Sequence, residues 1–352
     1  MDTIIGKITG NSGEDDNIIM QAAKIIAGGG LVAFPTETVY GLGGDAFDEE
    51  AAKKIYSAKG RPSDNPLIVH ISEPEDICLL SDEVPENARM LAKKFWPGPL
   101  TMIVKKNGRV PLSVTGGLDT VAVRCPSHPV ASALIKASGT FIAAPSANIS
   151  GRPSPTRAEH VIEDLKGRVD MIIDGGSIEI GLESTIVDLT GEVPVILRPG
   201  FITLEMLERA IGRVELDKAL MSGVSKDVKP KAPGMKYRHY APRAELTIVE
   251  GPAGAVADEI RRLTHDEILK GKKAGIMTTV EYKDSYPEGM VVTVGSLEDE
   301  STIAKHLFEA LRKFDDLGVD IIYSQAFSEE GLGQAIMNRL LKAAGHRVLQ
   351  VK

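Results

Sequence analysis

The sequence predicts an α/β fold in two parts. A larger first domain over residues 1–213 carries a twisted, mixed open sheet flanked by helices, and a smaller α/β domain occupies residues 244–352. Three observations carry this reading. Apolar runs of strand length alternate with helical patterns from residue 15 onward. Several neighbouring strand candidates have no helix between them, as from residues 184–188 through Gly191 to 195–197, which a purely parallel sheet does not allow. Apolar periodicity then vanishes between residues 222 and 243, where Lys226, Lys229, Lys231, Lys236, Arg238 and Arg243 face a single acid, Asp227. Residues 214–243 are therefore read as a linker, and a length of 352 residues suits two domains.

In chain order, Ile18, Ile19, Ala22, Ala23 and Ile26 recur at helical spacing over residues 15–27, and Gly28-Gly29-Gly30 stops that helix. A buried strand follows at 31–34. Asp48 caps a helix carrying Ala51, Ala52, Ile55 and Tyr56, and Pro66 leads into a strand at 67–69. The helix through Ala88, Leu91, Ala92 and Phe95 ends at Trp96-Pro97-Gly98-Pro99. Strands are expected at 100–104, 120–124, 141–143, 171–173, 184–188 and 195–197. In the second domain, strands at 246–249, 274–277, 291–294, 321–323 and 348–351 are separated by helical patterns at 254–264, 302–314 and 334–344. No internal repeat is present.

Composition narrows the function. With 43% hydrophobic and 26% charged residues the chain is an ordinary globular one. A net charge of −8 gives the whole surface no attraction for nucleic acid or anionic membrane, so any polyanion site must be local. Cys78 and Cys125 are the only cysteines and form no C-x-x-C pattern, which argues against a disulfide framework or a thiolate zinc site. The start of the chain shows no leader pattern and no run has the length of a membrane span, so a cytoplasmic protein is expected.

The familiar nucleotide signatures G-x-x-x-x-G-K-[ST] and G-x-G-x-x-G are missing, as are H-E-x-x-H and G-x-S-x-G. Instead, polar clusters stand at strand ends, where α/β sheets place ligands. Phe34-Pro35-Thr36-Glu37-Thr38-Val39-Tyr40-Gly41 puts hydroxyls and a carboxylate after a strand. Lys59-Gly60-Arg61-Pro62-Ser63-Asp64-Asn65 holds two cations on a proline-stiffened loop suited to phosphate or carboxylate, and His70 follows three apolar residues. Arg124 ends an alternating strand that starts at Thr120 and is costly to bury unpaired. Ala144-Pro145-Ser146-Ala147-Asn148 and Ser154 offer neutral donors, while Glu183-Ser184-Thr185 and Leu197-Arg198-Pro199-Gly200 add hydroxyls and a further arginine. Each cluster alone also fits a capped turn. Five in one domain do not.

Together P-T-E-T-V-Y-G-L-G, K-G-R-P, the S-A-N of 146–148, E-S-T and L-R-P-G resemble the YrdC-type threonylcarbamoyl-AMP synthase family. The segment 233–242, P-G-M-K-Y-R-H-Y-A-P, and the closing 331–340 resemble its longer form, in which a YrdC-like domain precedes a Rossmann-like one. The resemblance implies synthesis of threonylcarbamoyl-adenylate from L-threonine, bicarbonate and ATP, with release of pyrophosphate and water. That is an ATP-dependent nucleotidyl transfer, the first step towards threonylcarbamoyladenosine in tRNA. Magnesium would arrive on the ATP phosphates, with no protein ligands assigned to it. The product would pass to a downstream tRNA threonylcarbamoyl-transfer complex, with no direct tRNA site required and no membrane involved. By the same resemblance Thr38, His70, Arg124, Ala144 and Ser184 hold threonine. Arg61, Asn65, Thr120, Ser146, Asn148, Ser154, Arg198 and Tyr237 hold ATP, and Lys59 and Arg61 stabilise charge without a covalent nucleophile. The linker is expected to fold over the active site. A double-stranded RNA or tRNA binder is the alternative, supported by the basic linker. A carbamoyl-phosphate transferase is a third reading, weakened by the scarcity of cysteines.

Overall fold

The structure is a computed structural model that describes residues 2–218, 220, 231–233 and 239–352. It divides into two compact units. The first comprises the described residues of Met1–Ser150, Ser154–Glu179 and Glu183–Tyr237, and the second Gly151–Pro153, Ile180–Leu182 and Arg238–Lys352.

The first unit is built on β1 (Ile4–Lys7), β2 (Val32–Phe34), β3 (Gly41–Asp45), β4 (Ile68–His70), β5 (Leu100–Lys105), β6 (Thr120–Arg124), β7 (Ile142–Ala144), β8 (Met171–Asp174), β9 (Thr185–Asp188), β10 (Val195–Arg198) and β11 (Glu215–Leu216). These strands form one sheet in the order β1-β8-β2-β3-β7-β4-β6-β5-β9-β10-β11. It is mixed as expected: β4 and β6 are parallel, whereas β7 with β4, β6 with β5 and β9 with β10 are antiparallel. Its helices are α1 (Ser12–Ala27), α2 (Glu49–Lys59), α3 (Glu86–Phe95), α4 (Pro129–Ser138), α5 (Ala158–Leu165) and α6 (Leu204–Ile211). Asp48 caps α2 by accepting from Glu50 N at 2.9 Å. Alternation along the strands splits the core. Leu42, Val69, Met102, Val123 and Val187 join the larger cluster with residues of α2, α3 and α5, while Val32, Phe34, Ile142 and Ala144 pack under α1 and α4.

Three strands escape the sequence pattern. β1 is half exposed at the sheet edge, and β3, Gly-Leu-Gly-Gly-Asp, reads as a loop because glycines dominate it. It is a strand because close packing demands glycine there: a Cβ on Gly43 would stand 2.4 Å from Ile142 Cγ2 and 2.8 Å from Phe34 Cε1. In the segment expected to be linker, Glu215–Leu216 pairs with Val195–Ile196, and Ala232 is buried in the first unit.

The second unit carries β12 (Glu245–Glu250), β13 (Ala274–Thr278), β14 (Met290–Thr293), β15 (Ile321–Gln325) and β16 (Val348–Gln350), all parallel in the order β14-β13-β15-β12-β16. Between them run α7 (Ala253–Leu269), α8 (Glu300–Leu317) and α9 (Gly331–Ala344). No described helix is long and apolar enough to cross a membrane.

Candidate active site

The floor of the site is one face of the first sheet. His70 of β4 lies opposite Arg124 of β6, and Ile68 opposite Ala122. On the other side of β6, Thr101 of β5 pairs with Arg124 and Ile103 with Ala122. Residues two apart share a face, so Ile68, Ala122, Ile103, Ile186 and Leu197 form an apolar patch, and Ala232 covers it. Thr120 and Arg124 stand on this same face, four residues and therefore about 13 Å apart. Polar side chains gather at both ends of the patch.

At the Arg124 end the guanidinium is 4% exposed, and its Nη2 lies 2.8 Å from Glu37 Oε1, itself on a residue 5% exposed. Burial pushes the Glu37 carboxyl up, but the Arg124 charge and hydrogen bond outweigh it and hold the group below its ordinary value. Arg124 Nη2 also donates to Thr36 Oγ1 at 3.5 Å. The single hydrogen of Thr36 goes to Val39 O at 2.6 Å, so in the 2.9 Å contact of the two threonines Thr38 is the donor. Thr38 keeps its lone pairs as acceptors. His70 Nδ1 lies 3.0 Å from Ile68 O, and the ring packs edge-on against Phe34. Burial, reinforced by Arg124, lowers its pKa to about 3, so the imidazole is neutral. Ser184 Oγ meets Thr101 Oγ1 at 2.7 Å and accepts from Arg198 Nη2 at 3.2 Å, while Arg198 Nε donates to Ser184 O at 3.1 Å. Ala144 faces Ile68 across β7 and β4.

At the Thr120 end, Arg61 Nε donates to Asn65 O at 3.2 Å and its Nη2 to Pro66 O at 3.1 Å. Asn65 is 1% exposed, and its Oδ1 is buried without a hydrogen-bond partner among the described residues. Lys59 Nζ donates to Ser146 O at 2.5 Å and to Asn148 O, and Ser146 Oγ donates to Asn148 Oδ1 at 2.5 Å. Ser154 Oγ donates at 2.5 Å to Oε1 of Glu183, the neighbour of Ser184 and therefore on the Arg124 side of the patch. Lys59 and Arg61, expected to meet phosphates, thus brace the backbone of two site loops. Arg198 also reaches Pro233 O at 3.4 Å, within the same unit. Tyr237 lies outside the described residues. Four residues of this constellation carried no assignment in the sequence: Thr36, Glu37, Thr101 and Glu183. Thr36 and Glu37 stand in one of the strand-end clusters and Glu183 in another, without a role of their own, whereas Thr101 is a polar residue inside an apolar strand.

Among the described residues no group of three or more His, Cys, Asp or Glu could hold a metal ion. Cys78 and Cys125 are free thiols, and burial pushes that of Cys125 up to about 12.

Residues 24–200 match the family model Sua5_yciO_yrdC, described as telomere recombination, and residues 202–345 match the threonylcarbamoyl-AMP synthase C-terminal domain. A Pyrococcus abyssi protein named threonylcarbamoyl-AMP synthase is 53% identical over 330 residues, which cover 94% of this chain and 95% of its own. The chain belongs to the YrdC-type threonylcarbamoyl-AMP synthase family. A Bacillus subtilis protein of the same name is 48% identical over 344 residues, covering 97% of each chain. The crystal structure of P. abyssi Sua5 complexed with L-threonine superposes with a TM-score of 0.93 at 50% identity, over the whole of both chains.

Proposed function

We propose that the chain is an L-threonylcarbamoyladenylate synthase, a nucleotidyltransferase acting on L-threonine, bicarbonate and ATP. The observation that carries the reading is the two-ended patch. Arg124, with hydroxyls suited to an amino acid beside it, and Thr120, on the side of groups suited to a nucleoside, lie about 13 Å apart along one face of β6, which leaves room for phosphates between. Family membership and the threonine complex of the P. abyssi relative support the same reading.

In this mechanism Arg124 takes the threonine carboxylate, with Glu37 fixing the guanidinium from behind. Thr38 accepts a hydrogen from the amino acid, and neutral His70 shapes the pocket without repelling the ammonium. The ammonium gives one proton to solvent, the free amine attacks the bicarbonate carbon, and the C–OH bond breaks as the hydroxyl leaves with a second amine proton as water, so that a carbamate forms. A carbamate oxygen then attacks the α-phosphorus of ATP in line as the bond to pyrophosphate breaks. Arg198 stabilises the charge that develops, beside Ser184, while Thr120, Asn65, Ser146 and Ser154 hold the nucleotide. Lys59 and Arg61 act by holding the loops that present these groups. Magnesium bound to the ATP phosphates would supply charge neutralisation there, with no ligand assigned to it from this chain. The product passes to the enzyme that modifies tRNA.

The test is pyrophosphate release by the purified protein with ATP and magnesium, omitting threonine and bicarbonate in turn and identifying the adenylate by mass spectrometry. Release that requires both, with a threonylcarbamoyl-AMP mass, is expected. Release indifferent to threonine would overturn the assignment. The RNA-binding alternative gains nothing from the described residues: of the six cations between residues 222 and 243 only Lys231 and Arg243 lie among them, and Lys231 is paired with Asp188 at 3.3 Å.

A further inference from the structure

The second unit contains a cavity that the synthase reading does not use. β12 and β15 are parallel neighbours, yet the chain leaves them in opposite directions. From β12 it runs through α7 to β13, beyond β15, and from β15 through α9 to β16, beyond β12. Right-handed crossovers send two such connections to opposite faces of the sheet. Accordingly α7 packs with Val249, Ile276 and Tyr323 on one face, while α9 packs against α8. A crevice opens where the strands diverge, at their carboxyl ends, which is where open parallel sheets take ligands. Here it holds a cavity of about 290 Å³, lined by residues that follow β12 and β15.

Four features of the lining point to a ligand. Gln325 is only 8% exposed; its Oε1 accepts from Thr278 Oγ1 at 2.8 Å, and its Nε2 has no protein partner among the described residues. The 17-residue helix α7 begins at the cavity wall, at Ala253, and no side chain caps its first N–H groups, so its positive end is open to an anion. Tyr282, Tyr286 and Phe327 supply an aromatic wall for a planar ring. Glu250 gives one carboxylate oxygen to Gln350 Nε2 at 2.7 Å, which leaves the other to accept from a hydroxyl.

We propose that this cavity binds a nucleoside monophosphate. Its ring lies against the aromatic wall and receives a hydrogen bond from Gln325 Nε2, its sugar hydroxyl donates to Glu250, and its phosphate meets the first turn of α7. The site is distinct from the threonine and ATP site and shares no residue with it.

The test uses the full chain with threonine and a non-hydrolysable ATP analogue saturating the first unit. Equilibrium dialysis with labelled AMP should then find one further equivalent, and hydrogen exchange should slow over residues 249–256 and 325–328. Gln325→Leu should weaken AMP roughly 3- to 10-fold, the loss of one neutral donor. Ala253→Glu introduces an acid that favours the first helical turn but opposes the phosphate, and should weaken AMP by about tenfold or more. Adenosine should bind about tenfold more weakly than AMP. No further equivalent, protection elsewhere, unchanged affinity in both variants, or adenosine equal to AMP would overturn the proposal. Pyrophosphate release should be unaltered in both variants, so a failure here leaves the synthase reading standing, and the reverse also holds.

Discussion

Glu37 and Arg124 illustrate how one buried pair fixes a site. Each desolvated charge is tolerable only because the other is 2.8 Å away, so removing one partner costs far more than the pair is worth. Glu37→Gln is expected to destabilise the first unit by about 3–5 kcal/mol. The double variant Glu37→Gln with Arg124→Met should recover part of that loss, as denaturant unfolding would show. A double variant no more stable than the single one would mean that the pair is not what Glu37 serves. His70 gives a pH prediction. The unfolded ring titrates near 6.5 and the folded ring near 3, so between those values the unfolded chain holds the extra proton and stability rises with pH. Acidification from 6.5 downward should therefore cost up to about 1.4 kcal/mol per pH unit through this group. Glu37, whose carboxyl is held below its ordinary value, destabilises in the same direction at the acid end of the window. Comparing unfolding free energies from pH 4 to 7 in the wild type and His70→Asn isolates the histidine, and parallel curves would show that the ring is not held neutral.

At the scale of elements, the L-R-P-G motif shows why a glycine belongs beside an arginine. A Cβ on Gly200 would lie 2.5 Å from Thr185 N and 2.8 Å from Glu183 O, so the turn after β10 rests on the backbone that carries Ser184. Gly200→Ala is expected to push these two strand ends apart, costing about 1–3 kcal/mol of stability and raising the KM for threonine together with it. A KM unchanged at wild-type kcat would separate the glycine from the site. What the sequence made legible follows the same physics. Strands with β-branched alternation, such as β6, and helices with apolar spacing, such as α2, were readable because burial enforces their period. β3 was not, because its glycines answer to Ile142 and Phe34, about 100 and 10 residues away in the chain. The site was readable as a set of strand-end clusters, Glu37 among them, but the pairing of Glu37 with Arg124 and the entry of Thr101 depended on partners brought close by the sheet. The hydrogen bonds of Lys59 and Arg61 to loop carbonyls are likewise not encoded in any residue pattern.

For the whole molecule, the two units carry separate sheets and separate cores, and one residue distinguishes them in solution. Trp96 is the single tryptophan of the chain; it belongs to the first unit, is buried, and donates from Nε1 to Leu100 O at 2.7 Å. Its fluorescence therefore reports the core beneath the proposed threonine and ATP site. A ligand that binds only the folded state at 100 times its Kd stabilises by about 2.7 kcal/mol. Threonine with a non-hydrolysable ATP analogue should move the Trp96 transition to higher denaturant by that amount, with the slope of the transition unchanged. AMP added on top of both should leave this transition in place and protect only backbone amides of the second unit. If AMP instead moved the Trp96 transition further while the second unit stayed unprotected, all of the nucleotide binding would belong to the first unit.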